Sequence, residues 1–451
     1  MTAQELLEQF GPRESMDYDL VIVGGGPAGM ICAGRAAERG LSVLLLEKNE
    51  NLGKKLLITG GGRCNVTNSE FDTRTLLSKY KESDKFLFSP FSRFGVAETL
   101  DFFHLFGMDT KVEHEKRTFP VSDSSSSVLS VLVQYMQKHK VTVRTNSQVK
   151  HIHTNDATYT GQTCTIESLE LTDGSIIRGL EFVVATGGKS RPETGSTGDG
   201  FSWAKKLGHT VEEPQASLVP LVSKDAWISK LSGISLPDVK IKVLLDSIPQ
   251  GKAVKGKILF THRGLSGPGI LNLSKSIGEL LQYGDVQVSL DLIPTKDIGT
   301  LDSLLNTLFR TEINKKLKNC LGTISSIAGV PEIPTALVNM IIELSGVDEH
   351  TPAHSITKEN RRKIVNSMKD FRINIQELMG TDKAIVTSGG VILTEIDPRT
   401  LRSRKCTNLF LIGDMLHIDR PSGGYSLQLC WTTGYVAGSS AGKKIPPLLE
   451  N

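Results

Sequence analysis

The chain has 451 residues, and its formal net charge at pH 7 is only +3. One hydrophobic core cannot support a chain of this length, so we expect about two to three domains. The small net charge gives no whole-protein argument for a nucleic-acid partner. No apolar run reaches the roughly 18–20 residues of a membrane span, so we predict no membrane partner.

Six cysteines are scattered along the sequence, and no two of them form a CxxC pair. Their spacing argues against a thioredoxin-type motif and against the usual zinc patterns, so we predict no metal site. Isolated cysteines are typical of a reducing compartment. Residues 1–19 contain no apolar signal-peptide segment, and we therefore expect a cytoplasmic protein.

The first predicted elements are a strand, a glycine-rich turn, a helix and a second strand. The apolar runs at residues 18–23 and 41–46 predict buried parallel strands. Residues 29–39 predict a helix that ends at Gly40. Such a unit, within about 30 residues, is the framework in which a nucleotide-binding turn is found.

The turn itself has the pattern GxGxxG, at residues 24–29. Its glycines permit a tight turn, a close approach of the backbone to a pyrophosphate, and close packing of helix and strand. The helix N-terminus adds free N–H groups, and Glu47 would accept hydrogen bonds from ribose hydroxyls. The predicted cofactor contacts of this unit are Gly24, Gly25, Gly26, Pro27, Ala28, Gly29, Glu47 and Lys48.

A second glycine-rich stretch, TGGGRCN, occupies residues 59–65. Three consecutive glycines beside Arg63 and Asn65 indicate backbone that runs against a ligand. Arg63 would offset phosphate charge or lie near a flavin ring. Cys64 is a candidate proton donor, although a buried structural cysteine is the more common case.

Between residues 70 and 178 the pattern of apolar and polar residues is less regular. Residues 70–120 form a polar stretch that contains aromatic residues, and residues 125–138 predict a helix. The segments 148–154, 163–172 and 175–178 predict a small antiparallel layer.

Two later strands also lead into glycines. The run at residues 181–185 precedes Thr186, and the run at residues 409–412 precedes Gly413 and Asp414. Such strand ends meet at the carboxyl edge of a sheet, where ligands of α/β proteins bind. Asp414 would hold ribitol hydroxyls or cap a helix, and a helix beginning near Tyr425 would stabilise negative charge on a reduced flavin. The predicted contacts here are Thr186, Gly187, Gly188, Gly413, Asp414, Gly423, Gly424 and Tyr425.

From about residue 210 to 382 the pattern changes to short β-like stretches followed by helices, and buried-strand character returns at 384–387. We interpret the chain as one nucleotide-binding domain interrupted by a cap domain. Residues 1–212 form its first part, residues 213–382 form the cap with helices at about 296–368, and residues 383–451 form its second part.

Three histidines and a basic run are further candidates for function. His262, in the cap segment THRGLSGPG, joins Cys64 as a candidate catalytic residue. His151 and His153 share one strand face, which is far more often coincidence than a metal pair. We interpret the run KENRRK at residues 358–363 as a solvated helix face, with an RNA contact as the alternative.

Seven stretches of the chain, in their order and spacing, resemble the BaiN/RdsA family of FAD flavoproteins, also called aminoacetone-oxidase-like. The resemblance covers nearly the whole chain. The matching stretches are GGGPAG at 24–29, KKLLITGGGRCNVTN at 54–68, FPVSD at 119–123, ATGGKSRPETGSTGDG at 185–200, THRGLSGPGIL at 261–271, TSGGV at 387–391 and GGYSLQ at 423–428.

The resemblance implies an α/β fold in which a Rossmann-type FAD-binding domain is interrupted by a cap made of a small β-barrel and a helical bundle. It implies non-covalent FAD, and it transfers no catalytic acid. The further cofactor contacts predicted with its help are Lys55, Gly61, Arg63, Cys64 and Asn65.

Three functions remain open at this point. The favoured one is a reductase in which NADH or NADPH reduces FAD and flavin N5 passes hydride to an electron-poor C=C bond. The sequence shows no second GxGxxG after a strand, so the nicotinamide nucleotide would bind transiently. Uridine in ribosomal RNA is the favoured substrate and a steroid-like small molecule an alternative. The others are an oxidase of a small amine and a non-catalytic ribosome-associated factor. The basic residues expected to contact RNA phosphates are Lys252, Lys255, Lys257, Arg263, Arg361, Arg362 and Lys363.

Overall fold

The computed structural model describes residues 18–155, 164–324, 326, 329, 332–380 and 386–443. The chain divides into two compact units, one formed by Met1–Ala216 with Ala384–Asn451 and the other by Ser217–Lys383. The unit boundaries thus fall at 216/217 and 383/384, where the sequence interpretation has 212/213 and 382/383. Of the predicted strands, residue 163 and residues 384–385 lie outside the described residues.

The first unit contains most of the strands, numbered in chain order over both units. Its strands are β1 (Tyr18–Val23), β2 (Val43–Leu46), β3 (Thr67–Asn68), β4 (Thr110–Glu113), β5 (Arg117–Pro120), β6 (Thr142–Arg144), β7 (Val149–Thr154), β8 (Ile166–Leu171), β9 (Ile176–Val184), β10 (Val211–Ser217), β17 (Val386–Val391) and β18 (Leu409–Leu411). Its helices are α1 (Pro27–Glu38), α2 (Lys54–Leu57), α3 (Thr73–Leu77), α4 (Asp84–Arg93), α5 (Val96–Leu105), α6 (Ser125–Lys138), α7 (Asp199–Lys206) and α14 (Tyr425–Ser440).

The main sheet of this unit has a parallel half and an antiparallel half. The order of the parallel strands is β6-β2-β1-β9-β18, with Leu20 opposite Val43 and Val23 opposite Val184. β8 and β7 continue the sheet in antiparallel pairing from the first residues of β9. The four residues of β2 are all buried, as expected of a parallel strand covered on both faces. This arrangement sends the carboxyl ends of five strands to one edge.

The helices α1 and α14 pack against each other at an unusually short distance. A Cβ atom added to Gly434 of α14 would lie 2.4 Å from the carbonyl oxygen of Ala28, and one added to Gly438 would lie 2.5 Å from that of Cys32. Only glycine permits this approach of α14 to α1, so the C-terminal helix packs directly on the helix that follows the GxGxxG turn.

The polar stretch at residues 70–120, for which the sequence predicted no helix or strand, contains the helices α3, α4 and α5 and the strands β4 and β5. α3 is capped by Asp72, whose carboxylate accepts the N–H of Thr75. β3, β5 and β4 form a separate antiparallel sheet in that order. These elements are short, and Pro90 lies inside α4; a periodic signal therefore has little length in which to appear.

The second unit is a closed antiparallel barrel accompanied by helices. Its strands are β11 (Leu221–Ser223), β12 (Ser235–Leu245), β13 (Ile248–Phe260), β14 (Gly264–Ser266), β15 (Val286–Asp291) and β16 (Phe371–Leu378), and they close in the order β11-β14-β13-β12-β15-β16. Its helices are α8 (Pro268–Leu271), α9 (Ser274–Leu280), α10 (Ile298–Thr311), α11 (Leu317–Leu321), α12 (Thr335–Ser345) and α13 (Lys358–Lys369). The predicted fold class, a Rossmann-type domain with a barrel-and-helix insertion, is confirmed.

Alternation of buried and exposed residues builds the barrel. In β12 the side chains of Val239, Ile241 and Val243 are buried, whereas Lys242 between them is exposed. β13 is longer than the short β-like stretches of the sequence indicated, because its first eight residues contain no buried side chain and therefore give no apolar signal. No helix of the described residues is long and apolar enough to cross a membrane.

Candidate cofactor cleft

A cleft lies at the carboxyl edge of the parallel sheet, within the first unit. It contains about 1220 Å³ of empty space, including solvent at its mouth. Val23, Leu46, Ala185 and Ile412 line it, and each of them stands at or just beyond the end of a parallel strand. This is the position in which open α/β sheets bind ligands.

The GxGxxG turn forms one wall of the cleft. Gly24 has φ +113°, and a Cβ on it would lie 2.5 Å from the carbonyl oxygen of Ala185. By contrast, a Cβ on Gly26 would meet no atom within 4 Å. Gly26 caps α1 without any side-chain hydrogen bond, so the first amides of that helix face no capping group. The open space beside these amides is a cradle of the kind that binds a diphosphate.

Glu47 connects this turn to the end of β2. Its Oε2 accepts the backbone N–H of Gly25 at 2.8 Å, and its Oε1 accepts the backbone and side-chain N–H groups of Asn49 at 2.8 and 2.7 Å. A carboxylate has about four lone-pair positions. One acceptor position therefore remains free for a ligand, while the other three hold the loop in shape.

The segment after β9 forms a second wall. Thr194, Gly195 and Ser196 line the cleft. Lys48 reaches this segment, and its Nζ donates to Thr197 Oγ1 at 2.6 Å and to Asp199 Oδ2 at 2.9 Å. These contacts join the end of β2 to the loop after β9 across one side of the cleft.

A charged cluster forms the third wall, after β18. Asp414 pairs with Arg420, and its Oδ2 lies 3.7 Å from Lys55 Nζ. Burial by itself would raise the pKa of Asp414, but the charges of Arg420 and Lys55 lower it below its ordinary value. Lys55 Nζ also donates to Ser190 Oγ at 2.7 Å. The carboxylate is thus held ionised beside the cleft, with a lysine at its edge.

The structure brings part of the predicted site together around this cleft. The predicted residues in its lining are Gly24, Gly25, Gly26, Pro27, Ala28, Glu47, Lys48, Lys55, Thr186, Gly187, Gly413 and Asp414. The predicted residues outside its lining are Gly29, Gly61, Arg63, Cys64, Asn65, Gly188, Gly423, Gly424 and Tyr425.

The GGGRCN loop is organised by its own ion pairs. Arg63 contacts Glu113 and Asp123, each at 2.5 Å, and its guanidinium lies 4.2 Å from the centroid of the Phe119 ring. Hydrogen bonds to the two carboxylates raise the pKa of Arg63. Cys64 is fully buried, and burial raises the pKa of its thiol to about 12. A role for Cys64 in proton transfer stays a prediction.

Gly424 and Tyr425 lie at the start of α14, where both make contacts within the fold. A Cβ on Gly424 would lie 2.3 Å from the carbonyl carbon of Thr67, so this glycine lets the chain cross β3. The carbonyl of Tyr425 accepts the hydroxyl of Tyr80 at 2.9 Å. The next residues, Ser426 and Leu427, are the ones that line the cleft.

Sequence reasoning missed the contribution of the β6–β7 loop. Ser147, Gln148 and Val149 line the cleft, as does Asn49 beside Glu47. A signal was available in the short β-branched run at residues 141–143, because a parallel strand there delivers the loop that follows it to the carboxyl edge of the sheet. Cys430, one turn into α14, lines the cleft as well, and no sequence pattern singled it out.

The remaining candidates lie elsewhere. His262 is exposed in the turn between β13 and β14 of the second unit, where the Thr261 N–H donates to the Gly264 carbonyl at 2.8 Å. The rings of His151 and His153 are 6.4 Å apart on β7, and His153 contacts Glu170 at 3.3 Å. Within the part of the chain that the structure describes, no three His, Cys, Asp or Glu side chains are grouped as metal ligands.

Known proteins resemble this chain over nearly its whole length. The family model described as HI0933-like protein Rossmann domain matches residues 18–440. The 3-dehydro-bile acid delta(4,6)-reductase of Clostridium scindens is 30% identical, over 94% of this chain and 98% of that one. The ribosomal RNA dihydrouridine synthase of Escherichia coli is 29% identical, over 93% and 96% respectively. Among solved structures, the 3-ketosteroid delta1-dehydrogenase of Sterolibacterium denitrificans superposes with a TM-score of 0.51 at 13% identity, over 94% of this chain and 98% of that one, and shows a shared fold.

Proposed function

We infer the reaction from one premise: the chain belongs to the HI0933-like family and is an FAD-dependent oxidoreductase. We propose that it reduces an electron-poor carbon–carbon double bond, with NADH or NADPH as the electron donor and a uridine of ribosomal RNA as the substrate. The observation that carries the reaction class is the full-length match to two relatives. The names of both describe the reduction of a C=C bond.

The cleft supports the cofactor assignment. FAD, when bound, supplies hydride chemistry that no side chain provides. The amides at Gly26 and the start of α1 would hold its diphosphate, and the free acceptor position of Glu47 would hold its ribose. Asp414, kept ionised by Arg420 and Lys55, would accept hydroxyls of the ribityl chain.

A basic face on the barrel supports an RNA substrate. The side chains of Lys240, Lys242, Lys255, Lys257 and Arg372 point outward from β12, β13 and β16, and we call this set the basic face. Lys240 and Lys255 stand directly opposite each other in the ladder. Like charges in that position destabilise a sheet. The repulsion is partly offset, because Lys255 lies 4.0 Å from Asp238 and Lys240 stands opposite Asp291 on its other side. Phosphates of a polyanion would offset the remainder.

Other basic residues are already engaged. The Nε and Nη2 atoms of Arg361 donate to the two carboxylate oxygens of Asp302 at 2.8 and 3.0 Å, and only 13% of its side chain is exposed. Lys363 pairs with Glu359 at 2.9 Å. In the basic face, Lys255 lies 4.0 Å from Asp238 and Arg372 pairs with Asp370 at 2.8 Å. The side chain of Lys255 is nevertheless 59% exposed, so it is better placed to contact phosphate than Arg361.

Anaerobic stopped-flow spectroscopy tests the reductase class. FAD-loaded protein is mixed with NADH or with NADPH, and the loss of the yellow absorbance of oxidised flavin follows its reduction. We expect one of the two nucleotides to bleach the flavin. Flavin that stays oxidised with both removes the proposal.

Mass spectrometry of RNA tests the substrate. Ribosomal RNA from a deletion strain should lack one dihydrouridine that the wild-type strain contains, and purified enzyme should restore it. The double variant Lys242→Glu/Lys255→Glu should restore far less, whereas Lys79→Glu/Lys85→Glu, which changes two exposed lysines of the first unit, should act like wild type. Unchanged dihydrouridine content in the deletion strain would exclude RNA, and turnover of a 3-keto steroid diene would then favour the small-molecule alternative.

A further inference from the structure

Two cysteines that lie far apart in the sequence are neighbours in the first unit. The Sγ atoms of Cys164 and Cys406 are 3.3 Å apart, although 242 positions separate the two residues. Both are free thiols. Neither lines the cofactor cleft.

The backbone holds the two residues side by side. Cys164 and Cys406 form an isolated parallel β-bridge, and the N–H of Thr407 donates to the carbonyl of Cys164 at 2.9 Å. The side chain of Asn408 also holds the two segments together. Its Oδ1 accepts the N–H of Ile166 and its Nδ2 donates to the carbonyl of Ile166, each at 2.9 Å. Paired strands lie about 4.8 Å apart, which is within the Cα separation of about 4.4–6.8 Å that a disulfide needs. A disulfide here thus needs only side-chain rotation.

We propose that Cys164 and Cys406 form a reversible intramolecular disulfide, a thiol redox site separate from the flavin cleft. The oxidant is a small disulfide such as oxidised glutathione. The two protein thiols together lose two electrons and two protons, and the small disulfide is reduced to two thiols.

The exposure of the two thiols sets the order of the steps. Cys164 is partly exposed, whereas Cys406 is 1% exposed. The thiolate of Cys164 attacks one sulfur of the small disulfide, whose S–S bond breaks and releases one thiol. The thiol of Cys406 then loses its proton, attacks Cys164 Sγ and releases the second thiol. Burial raises the pKa of Cys406, so this second step becomes faster as the pH rises.

The bond would connect two parts of the unit that are now held together by hydrogen bonds and apolar packing. Cys164 precedes β8 of the antiparallel layer, and Cys406 precedes β18, which leads to Asp414. Closing this long loop restricts the unfolded chain. The oxidised protein should therefore melt at a higher temperature than the reduced protein.

Thiol counting and peptide mapping test the proposal. Reduced, full-length protein is equilibrated anaerobically with oxidised glutathione, quenched with acid and alkylated after unfolding. Free thiols should fall from six to four, and a peptide linking Cys164 to Cys406 should appear. The Cys320→Ser variant, which changes a buried cysteine of the second unit, should still lose two thiols, whereas Cys164→Ser and Cys406→Ser should lose none to an internal disulfide.

If a variant folds poorly, the wild-type protein alone still tests the proposed disulfide. Six free thiols after prolonged exposure at pH 8.5, or a glutathione adduct on Cys164 that persists without conversion, would overturn the proposal. A cross-linked peptide that joins any other pair of cysteines would overturn it as well.

Discussion

The carboxylate of Glu47 accepts the backbone N–H of Gly25 at 2.8 Å, and this contact joins the end of β2 to the turn that follows β1. Glu47 therefore has two tasks in the cleft. It fixes the shape of the GxGxxG turn, and it keeps one acceptor position free for a ligand. The two tasks explain why a carboxylate, with its four acceptor positions, suits this place better than an amide.

Replacing Glu47 by glutamine should weaken FAD binding roughly 10- to 100-fold. Hydrogen bonds to a charged group contribute about 1.5–3 kcal/mol, and the amide nitrogen of glutamine would face an N–H group of Gly25 or Asn49. Quenching of FAD fluorescence during titration measures the affinity. Glu50→Gln changes an exposed neighbour and should bind like wild type; equal affinities of all three proteins would contradict this role of Glu47.

Two glycine variants should separate folding from cofactor binding. Gly24→Ala should misfold, because φ is +113° and the new Cβ would lie 2.5 Å from the Ala185 carbonyl. Gly26→Ala should fold with an unchanged melting temperature as apoprotein, because its Cβ would enter open space. The same methyl group would occupy the diphosphate cradle, so Gly26→Ala should lose FAD. Yellow, FAD-loaded Gly26→Ala protein would show that the diphosphate lies elsewhere.

The stability of the first unit should fall as the pH drops below about 6.5. The buried His209 contacts Glu395 Oε2 through Nδ1 at 3.0 Å and Ser403 Oγ through Nε2 at 2.8 Å. Burial lowers the pKa of His209 below its ordinary 6.5, although Glu395 opposes this shift. The unfolded chain therefore binds the proton first as the pH falls, so the contribution is present above 6.5 and is lost below it.

Urea unfolding at several pH values between 8 and 5 measures this effect. His209→Gln should flatten the decline in unfolding free energy over that interval, and the exposed control His151→Gln should not. The pKa of Glu395 is lowered from 4.5, so its contribution to the unfolding free energy is lost only at more acidic pH, outside the interval measured. A decline that is the same in all three proteins would exclude His209 as its source.

Gln428 should prove structural, although it ends the glycine-containing stretch GGYSLQ. It is fully buried; its Nε2 donates to Thr99 Oγ1 at 2.9 Å and to Thr432 Oγ1 at 3.0 Å, and its Oε1 accepts from Thr67 at 2.6 Å. Gln428→Leu should cost about 2–3 kcal/mol, since it leaves the Thr67 hydroxyl without its acceptor. Gln137→Leu, on the exposed face of α6, should change stability by less than about 0.5 kcal/mol. A Gln428→Leu protein as stable as wild type would be inconsistent with this network.

Much of the fold and part of the candidate site could be predicted from local sequence patterns. The GxGxxG turn, Glu47 and Gly413–Asp414 all reach one cleft because each directly follows a parallel strand, and strand ends are readable from short apolar runs. Arg63, Cys64 and Asn65 were predicted as contacts from a glycine-rich loop and from the family resemblance. The structure places them outside the cleft lining, where Arg63 binds Glu113 and Asp123. A loop sequence contains no information on which distant carboxylates will face it.

The strand–turn–helix opening, the Rossmann-type class and the family could all be predicted from the amino-acid sequence, because turns, apolar runs and motif spacing are short-range properties of a chain. Three relationships became visible only in the folded chain: which loops share the cleft, the contact of Glu47 with Gly25, and the contact of Cys164 with Cys406. Those relationships depend on how strands pair, and strand pairing brings together residues whose separation along the chain gives no hint of their contact.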